Sequence, residues 1–159
     1  MGLAIVKTCT LVGMEALNVT VEVHLANGLP AFSIVGLPET SVKEAKDRVR
    51  SAILNSGFSF PAKRITVNLA PADLPKEGAH FDLPIALGLL TAMGILPADE
   101  METYVTLGEL SLDGSCQGVS GVLPAAVEAV AQSLNLICPA ENGGEAVWAG
   151  DLEVLAPKS

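Results

Sequence analysis

One short segment concentrates the side chains with which proteins most often do chemistry. From Pro75 to Asp82 the sequence reads PKEGAHFD, which places an amine, two carboxylates and an imidazole close together. Such groups at the start of a helix can shift one another's pKa values and form an acid–base site. His80, Glu77 and Asp82 also offer the nitrogen and oxygen ligands of a metal site or small-ligand site, although their spacing alone is weak support.

A structural interpretation of the same segment is simpler, and we favour it. Asp82 would cap the following helix, Gly78 would make a turn, and Lys76 and Glu77 would carry charge on the loop surface. The sequence leaves both interpretations open.

A second segment, from Gly108 to Gly121, is rich in glycine and serine. Ser115 or Ser120 could act as a nucleophile only if folding brought a base such as His80 close, because no histidine or lysine lies near them in the sequence. A serine hydrolase built in this way is one alternative function. His24, alone on a strand, is interpreted as a surface residue. No Walker phosphate loop occurs, so we expect no ATP site of that kind.

Hydrophobic periodicity indicates the elements that would position these residues. Apolar and polar residues alternate over 3–11, 17–24 and 31–35, and Asn27-Gly28 is typical of a tight hairpin turn. Residues 3–36 therefore predict a β-meander. A further strand is predicted around Ile65, Val67 and Leu69, directly before the loop of charged residues.

Two helices flank that strand in the prediction. The first begins at Thr40 or Ser41, with Glu44 completing a capping box, and ends at Gly57. The second begins at Asp82 and is apolar on nearly all sides, so it should be buried.

Shorter elements follow, and together the pattern predicts an α+β or mixed α/β fold. The later elements are a strand over 104–110, a hairpin at Asp113-Gly114, a helix over 124–134, a short helix over 140–148 and a last strand over 152–155. We expect a mixed β-sheet packed with helices, mostly antiparallel in its N-terminal part, in a single domain spanning residues 1–159.

Composition limits the partners. Eighteen acidic residues against nine basic ones give a net charge of −9, which argues against nucleic-acid binding by the whole surface. A face that could contact DNA or a protein partner is confined to one basic cluster, although a solvated helix face is the favoured interpretation. Its members are Lys43, Lys46, Arg48, Arg50, Lys63 and Arg64.

The cellular compartment follows from the cysteines and from the hydropathy. Three cysteines far apart in the sequence indicate neither a metal motif nor a disulfide framework. The chain shows no signal peptide and no apolar run long enough to span a membrane. We therefore expect a soluble cytoplasmic domain with no membrane partner.

Three blocks of the sequence carry a resemblance that covers nearly the whole chain. They read GLPETSVKEAKDRVRSAILNSGF, KRITVNLAPADLPKEGAHFDLPIALGLL and GELSLDG. Together they resemble the N-terminal domain of magnesium-chelatase-like AAA+ proteins of the ComM/YifB type. The resemblance implies a fold similar to the proteolytic domain of Lon protease and to the second domain of a small-subunit ribosomal protein. It also implies an AAA+ ATPase module that we expect to be absent from this chain.

The resemblance also bears on catalysis. Lon-type proteases use a serine–lysine dyad, and here His80 stands where the serine belongs while Leu123 stands at the lysine position. With neither group present, that mechanism lacks its nucleophile and its base. The resemblance thus implies a catalytically silent domain. Its loop equivalent to the protease site comprises Lys76, Glu77, Gly78, His80 and Asp82.

For the whole protein, the resemblance implies a ring-forming, hexameric ATPase that acts on DNA in natural transformation and branch migration. This domain would be a scaffold that packs against its own AAA+ module and neighbouring subunits, or that guides DNA toward the ring. ATP and Mg are expected only in the AAA+ module, with no cofactor and no metal in this domain.

Overall fold

In a computed structural model of the chain, the described residues include seven strands in one mixed sheet and two further strands that form a hairpin. The structure describes residues 2–12, 15–74, 76, 78–119, 122–139 and 154–155. The elements in chain order are β1 (Leu3–Val12), β2 (Glu15–Ala26), β3 (Ala31–Val35), α1 (Glu39–Asn55), β4 (Arg64–Ala70), a 3₁₀ turn (Ala79–Phe81), α2 (Asp82–Ala92), α3 (Ala98–Met101), β5 (Tyr104–Thr106), β6 (Glu109–Leu110), β7 (Cys116–Gln117), α4 (Val122–Ala131), β8 (Asn135–Ile137) and β9 (Val154–Leu155).

The sheet runs in the order β3-β4-β2-β1-β5-β8-β9. The pairs β1–β2 and β2–β4 are antiparallel, whereas β3–β4, β1–β5, β5–β8 and β8–β9 are parallel. The expected mixed sheet packed with helices is confirmed. Parallel pairing is more extensive than predicted, because α1 and α4 serve as crossover connections between parallel strands.

The predicted β-meander over residues 3–36 is wrong. β3 pairs in parallel with β4, and β4 lies between β3 and β2. Asn27-Gly28 therefore does not close a hairpin between paired strands. The dipeptide describes only a local turn, whereas strand order depends on the helix that returns the chain to the sheet.

One face of the sheet packs against α1 and α2. Val19, Val21 and Val23 of β2 are buried on this face, as their alternation predicts. Gly88 lets α2 approach closely, because a Cβ atom there would lie 2.7 Å from Cγ2 of Val23. The burial predicted for α2 is confirmed, since most of its side chains are buried.

A second, smaller core lies on the other face of the sheet, where the alternate residues of the strands point. Cys9 of β1 and Ala16 of β2 pack there with Ala125 and Ala129 of α4. Gln132, just after α4, donates to the Oδ1 atom of Asn18 at 2.7 Å and ties the helix to β2. The sheet thus carries helices on both faces.

The predicted helix caps are wrong. Residue Pro38 precedes α1, and no side chain caps the helix, so Ser41 and Glu44 form no capping box. Phe81 precedes α2, and the carboxylate of Asp82 does not cap that helix either. Its partners are described below. Among the described helices, none is long and apolar enough to cross a membrane.

The predicted strand over residues 104–110 divides into β5 and β6, which belong to different sheets. The hairpin at Asp113-Gly114 is confirmed, because β6 pairs antiparallel with β7. The helix predicted over 124–134 runs from Val122 to Ala131. The predicted helix over 140–148 lies outside the described residues.

Candidate functional site

Lys76 lies inside the loop, which corrects the prediction that it faces water. Its side chain is 3% exposed, and its ammonium donates to the carbonyl oxygens of Pro71 and Leu74, each at 2.7 Å. The chain turns sharply after β4, and the ammonium satisfies carbonyl groups that this turn leaves without a strand partner. Glu77 lies outside the described residues.

His80 is held against β1. Its Nε2 atom lies 2.9 Å from the carbonyl oxygen of Cys9, and its ring packs on Phe81 with the centroids 4.1 Å apart. Burial lowers the pKa of His80, while the hydrogen bond to Cys9 opposes that shift. The ring is therefore neutral at pH 7, and one of its two nitrogens is committed to the backbone. Cys9 is no nucleophile, because burial raises the pKa of its thiol to about 12.

The structure does not bring Ser115 to His80. The Ser115 hydroxyl donates to the Asp113 carboxylate at 2.7 Å, within the turn between β6 and β7. The described contacts therefore leave Ser115 without the base that a serine nucleophile needs. Ser120 lies outside the described residues. Leu123 is the second residue of α4 and is exposed.

Asp82 forms the most buried charged contact of the site. Its side chain is 1% exposed, and the Nε and Nη2 atoms of Arg48 lie 2.5 Å and 3.2 Å from its two oxygens. The backbone N–H of Leu110 also donates to the carboxylate, at 3.2 Å. Asp82 therefore joins α1, α2 and β6. This contact explains why it does not cap α2, and it corrects the prediction that Arg48 simply faces water.

Burial and pairing act on the Asp82 carboxyl in opposite directions. Burial raises the pKa of Asp82 to about 6, while the hydrogen bond and charge of Arg48 and the N–H of Leu110 oppose the rise. Arg48 reaches water, with 22% of its side chain exposed, and the hydrogen bond to Asp82 raises its pKa. The pair is thus a structural junction whose buried member depends on its cation.

A cleft of about 490 Å³ lies beside this loop. Its walls are formed by Leu11, Gly78, Ala79, His80, Glu109, Gly118 and Val119. Within the described parts of the chain, no three histidine, cysteine or acidic side chains converge as metal ligands. The described ligands proposed with Glu77, namely His80 and Asp82, are each engaged with another part of the protein.

The basic cluster separates into residues with different neighbours. Arg48 pairs with Asp82, but Lys46 donates to the carbonyl oxygen of Phe32 at 3.2 Å. Arg50 lies over the ring of Phe60, with its guanidinium carbon 5.2 Å from the centroid. Both contacts lead from α1 to the edge of the sheet at β3.

The remaining members lie on α1 and β4. Lys63 and Arg64, at the start of β4, are exposed, and Lys63 donates to Oδ1 of Asn27 at 3.3 Å. Lys43 is exposed and shares one face of α1 with Lys46 and Arg50. Arg64 alternates with the buried Ile65 and therefore points to the sheet face opposite α1, while Arg48 lies on the interior side of α1.

Sequence reasoning missed two functional contacts of this region, the Arg48–Asp82 pair and the burial of Lys76. The first joins residues 34 positions apart in the sequence, and the only available signal was a carboxylate beside the apolar run of α2. For Lys76 the prolines around the loop gave no indication that carbonyl groups would converge.

The family described as subunit ChlI of Mg-chelatase matches this chain over residues 21–142. The uncharacterized protein YifB of Salmonella typhimurium is 56% identical over 145 residues, which is 91% of this chain and 29% of that protein. The competence protein ComM of Haemophilus influenzae is 53% identical over 151 residues, which is 95% of this chain and 30% of that protein. The chain therefore spans just under a third of the length of these relatives.

Proposed function

The chain belongs to the family of subunit ChlI of Mg-chelatase, as a domain of the ComM/YifB type, and from this we propose that it is a catalytically silent interaction domain of a AAA+ ATPase. The ATPase would use ATP and Mg²⁺ in a separate module and would act in the cytoplasm. The name of the ComM relative suggests a role in competence. Natural transformation and branch migration of DNA are the processes that we propose for the whole protein.

The observation that carries this proposal is the engagement of the loop at residues 71–82. Lys76 donates to backbone carbonyl groups of the loop, and His80 is hydrogen-bonded to the carbonyl group of Cys9 on β1. The Asp82 carboxylate accepts hydrogen bonds from Arg48 and from the backbone N–H of Leu110 on β6. A catalytic group must be free to contact its substrate, whereas these three side chains stabilise the fold. The residue that the resemblance places at the protease nucleophile is a half-buried imidazole whose pKa is lowered by burial.

The proposed work of the domain is to pack against its own AAA+ module and neighbouring subunits of a hexameric ring. With a net charge of −9, most of the surface repels a polyanion, so protein contacts are favoured over DNA contacts. DNA would reach this domain only at the basic edge of the sheet.

The test uses a protein of the relatives' full length that carries this chain. Its assembly with ATP and Mg²⁺ is measured by mass photometry and compared with a version that lacks residues 1–159. We expect the intact protein to form rings and the shortened version to assemble at least several-fold more weakly. Ser115→Ala is the matched control and should assemble like the intact protein. Equal assembly of the intact and shortened proteins would contradict the scaffold role.

A further inference from the structure

The strand β3 forms an open edge of the sheet. It occupies the end of the strand order and pairs only with β4 among the described strands. Such an edge presents backbone N–H and C=O groups that can pair with another extended chain. Proteins often cover or charge an edge of this kind, and here it is charged.

The register identifies which backbone groups point outward. Ala31 donates its N–H to the carbonyl of Lys63, so the backbone groups of residues 31, 33 and 35 bond to β4. In a parallel ladder the intervening residues point the other way. Phe32 and Ile34 therefore present their N–H and C=O groups to the open side. Within the described residues, the ammonium of Lys46 contacts one of them, the carbonyl of Phe32, at 3.2 Å.

Side chains beside this edge combine positive charge with apolar surface. Lys46 and Arg50 lie on the α1 side, where Phe32 and Phe60 pack with their centroids 5.6 Å apart. On the opposite face, Val35 is 56% exposed. Lys43 shares the face of α1 that carries Lys46 and Arg50, and Lys63 and Arg64 lie at the start of the neighbouring strand β4.

We propose that the β3 edge binds an extended acidic peptide segment of a partner protein by strand addition. The segment pairs its backbone with the outward groups of Phe32 and Ile34. Its acidic side chains meet Lys46 and Arg50, and Lys46 exchanges the Phe32 carbonyl for a carboxylate. An apolar side chain on the other face of the segment covers Val35. This inference rests on the proposed role as an interaction domain and specifies one surface and one class of partner.

The observations favour a peptide over DNA. DNA offers no backbone N–H groups or carbonyls in strand geometry, and the outward groups of β3 would stay unpaired beneath it. The α1 surface also carries Glu39, Glu44 and Asp47 among its basic residues, and these carboxylates repel a continuous row of phosphates. A short segment whose acidic side chains alternate with neutral ones can place its carboxylates at Lys46 and Arg50 and away from these residues.

The experiment measures fluorescence anisotropy of a labelled peptide of about eight residues that alternates Glu with Val or Thr. The second probe has the same sequence with N-methyl groups on alternate backbone nitrogens, which removes strand pairing and keeps the charge. The protein is the complete chain, as wild type, Lys46→Glu and Lys7→Glu. Lys7→Glu is the matched control, because it changes the net charge equally at a lysine on β1, away from β3.

We expect the unmodified peptide to bind, and Lys46→Glu to weaken binding roughly tenfold. Lys7→Glu should change the affinity less than about twofold, and the N-methylated peptide should lose binding. Three results would overturn the proposal: no binding of the unmodified peptide, equal affinity for both peptides, or tighter binding of single-stranded DNA of the same charge. Such a result would leave the ring-assembly test of the interaction domain unaffected.

Discussion

Arg48→Met should destabilise the fold much more than Asp82→Asn, although each change removes one member of the same ion pair. Asp82 is 1% exposed, so Arg48→Met leaves its carboxyl buried without a cation. Arg48 is 22% exposed, so Asp82→Asn leaves a guanidinium that water can solvate. The asymmetry follows from the burial of the two partners.

The magnitude has two parts. Loss of the two hydrogen bonds from Arg48 to Asp82 costs about 1–3 kcal/mol. The second part is the free-energy cost of keeping the Asp82 carboxylate buried without its cation. This cost cannot exceed that of protonating the carboxyl group, because the neutral form needs no cation. Because the pKa of Asp82 is about 6 in the intact protein, that second cost is about 1 kcal/mol at pH 7 and rises to at most about 3 kcal/mol at pH 8. We therefore expect a total of about 2–4 kcal/mol at pH 7.

The contribution of Asp82 to the free energy of unfolding decreases as the pH rises. The folded-state pKa of Asp82 lies above its ordinary value of 3.8, so its contribution to stability is present below pH 3.8 and is lost as the pH rises to about 6. In Arg48→Met the loss continues above pH 6, because the pKa of Asp82 rises further. The difference between this variant and the wild type therefore grows from pH 6 to pH 8. For Asp82→Asn the difference stays constant over that range.

Urea unfolding at pH 6 and pH 8 measures these differences. Arg50→Met is the control, since Arg50 contacts Phe60 and neutralises no buried carboxylate. It should cost less than about 1 kcal/mol at both pH values. A cost for Arg48→Met that equals that of Arg50→Met, or that does not grow with pH, would refute the reasoning.

Three further predictions concern the loop and the hairpin. Lys76→Met should cost about 2 kcal/mol in thermal unfolding, because the Leu74 carbonyl loses the ammonium and the Pro71 carbonyl keeps only the N–H of Leu74 at 3.4 Å; a cost below about 0.5 kcal/mol would contradict it. Gly114→Ala should cost about 2 kcal/mol in urea unfolding, because Gly114 has a φ of +95° and its Cβ would meet Ser56; Gly28→Ala, with open space around it, should cost about 1 kcal/mol. Burial places the pKa of His80 below 6.5, so its ring should be mostly neutral at pH 6.5 by NMR; a pKa above 6.5 would contradict this account.

Local patterns predicted the strands and the buried helix well. The alternation of Val19, Val21 and Val23 matches their burial in β2, and the apolar surround of α2 matches its place in the core. These features depend on neighbours within a few residues, so the sequence contains their signal. The position of β3 in the sheet does not depend on near neighbours, because its partner β4 follows only after the whole of α1. Asn27-Gly28 describes only the local turn.

The site was predicted in its residues but not in its contacts. Lys76, His80 and Asp82 were all identified, yet each contacts a part of the chain that the sequence did not indicate. The partners of His80 and Asp82 lie far away in the sequence, and only the packing of the fold brings them into contact. The partners of these side chains could therefore be identified only from the structure.

We propose that the loop at residues 71–82 stabilises the fold and performs no hydrolysis. The most direct measurement treats the folded chain with a fluorophosphonate probe and detects covalent labelling by intact mass, with Ser115→Ala and Ser120→Ala as controls. We expect no labelling above that of the unfolded chain. Stoichiometric labelling of the folded chain that either substitution abolishes would contradict it and would establish a serine nucleophile.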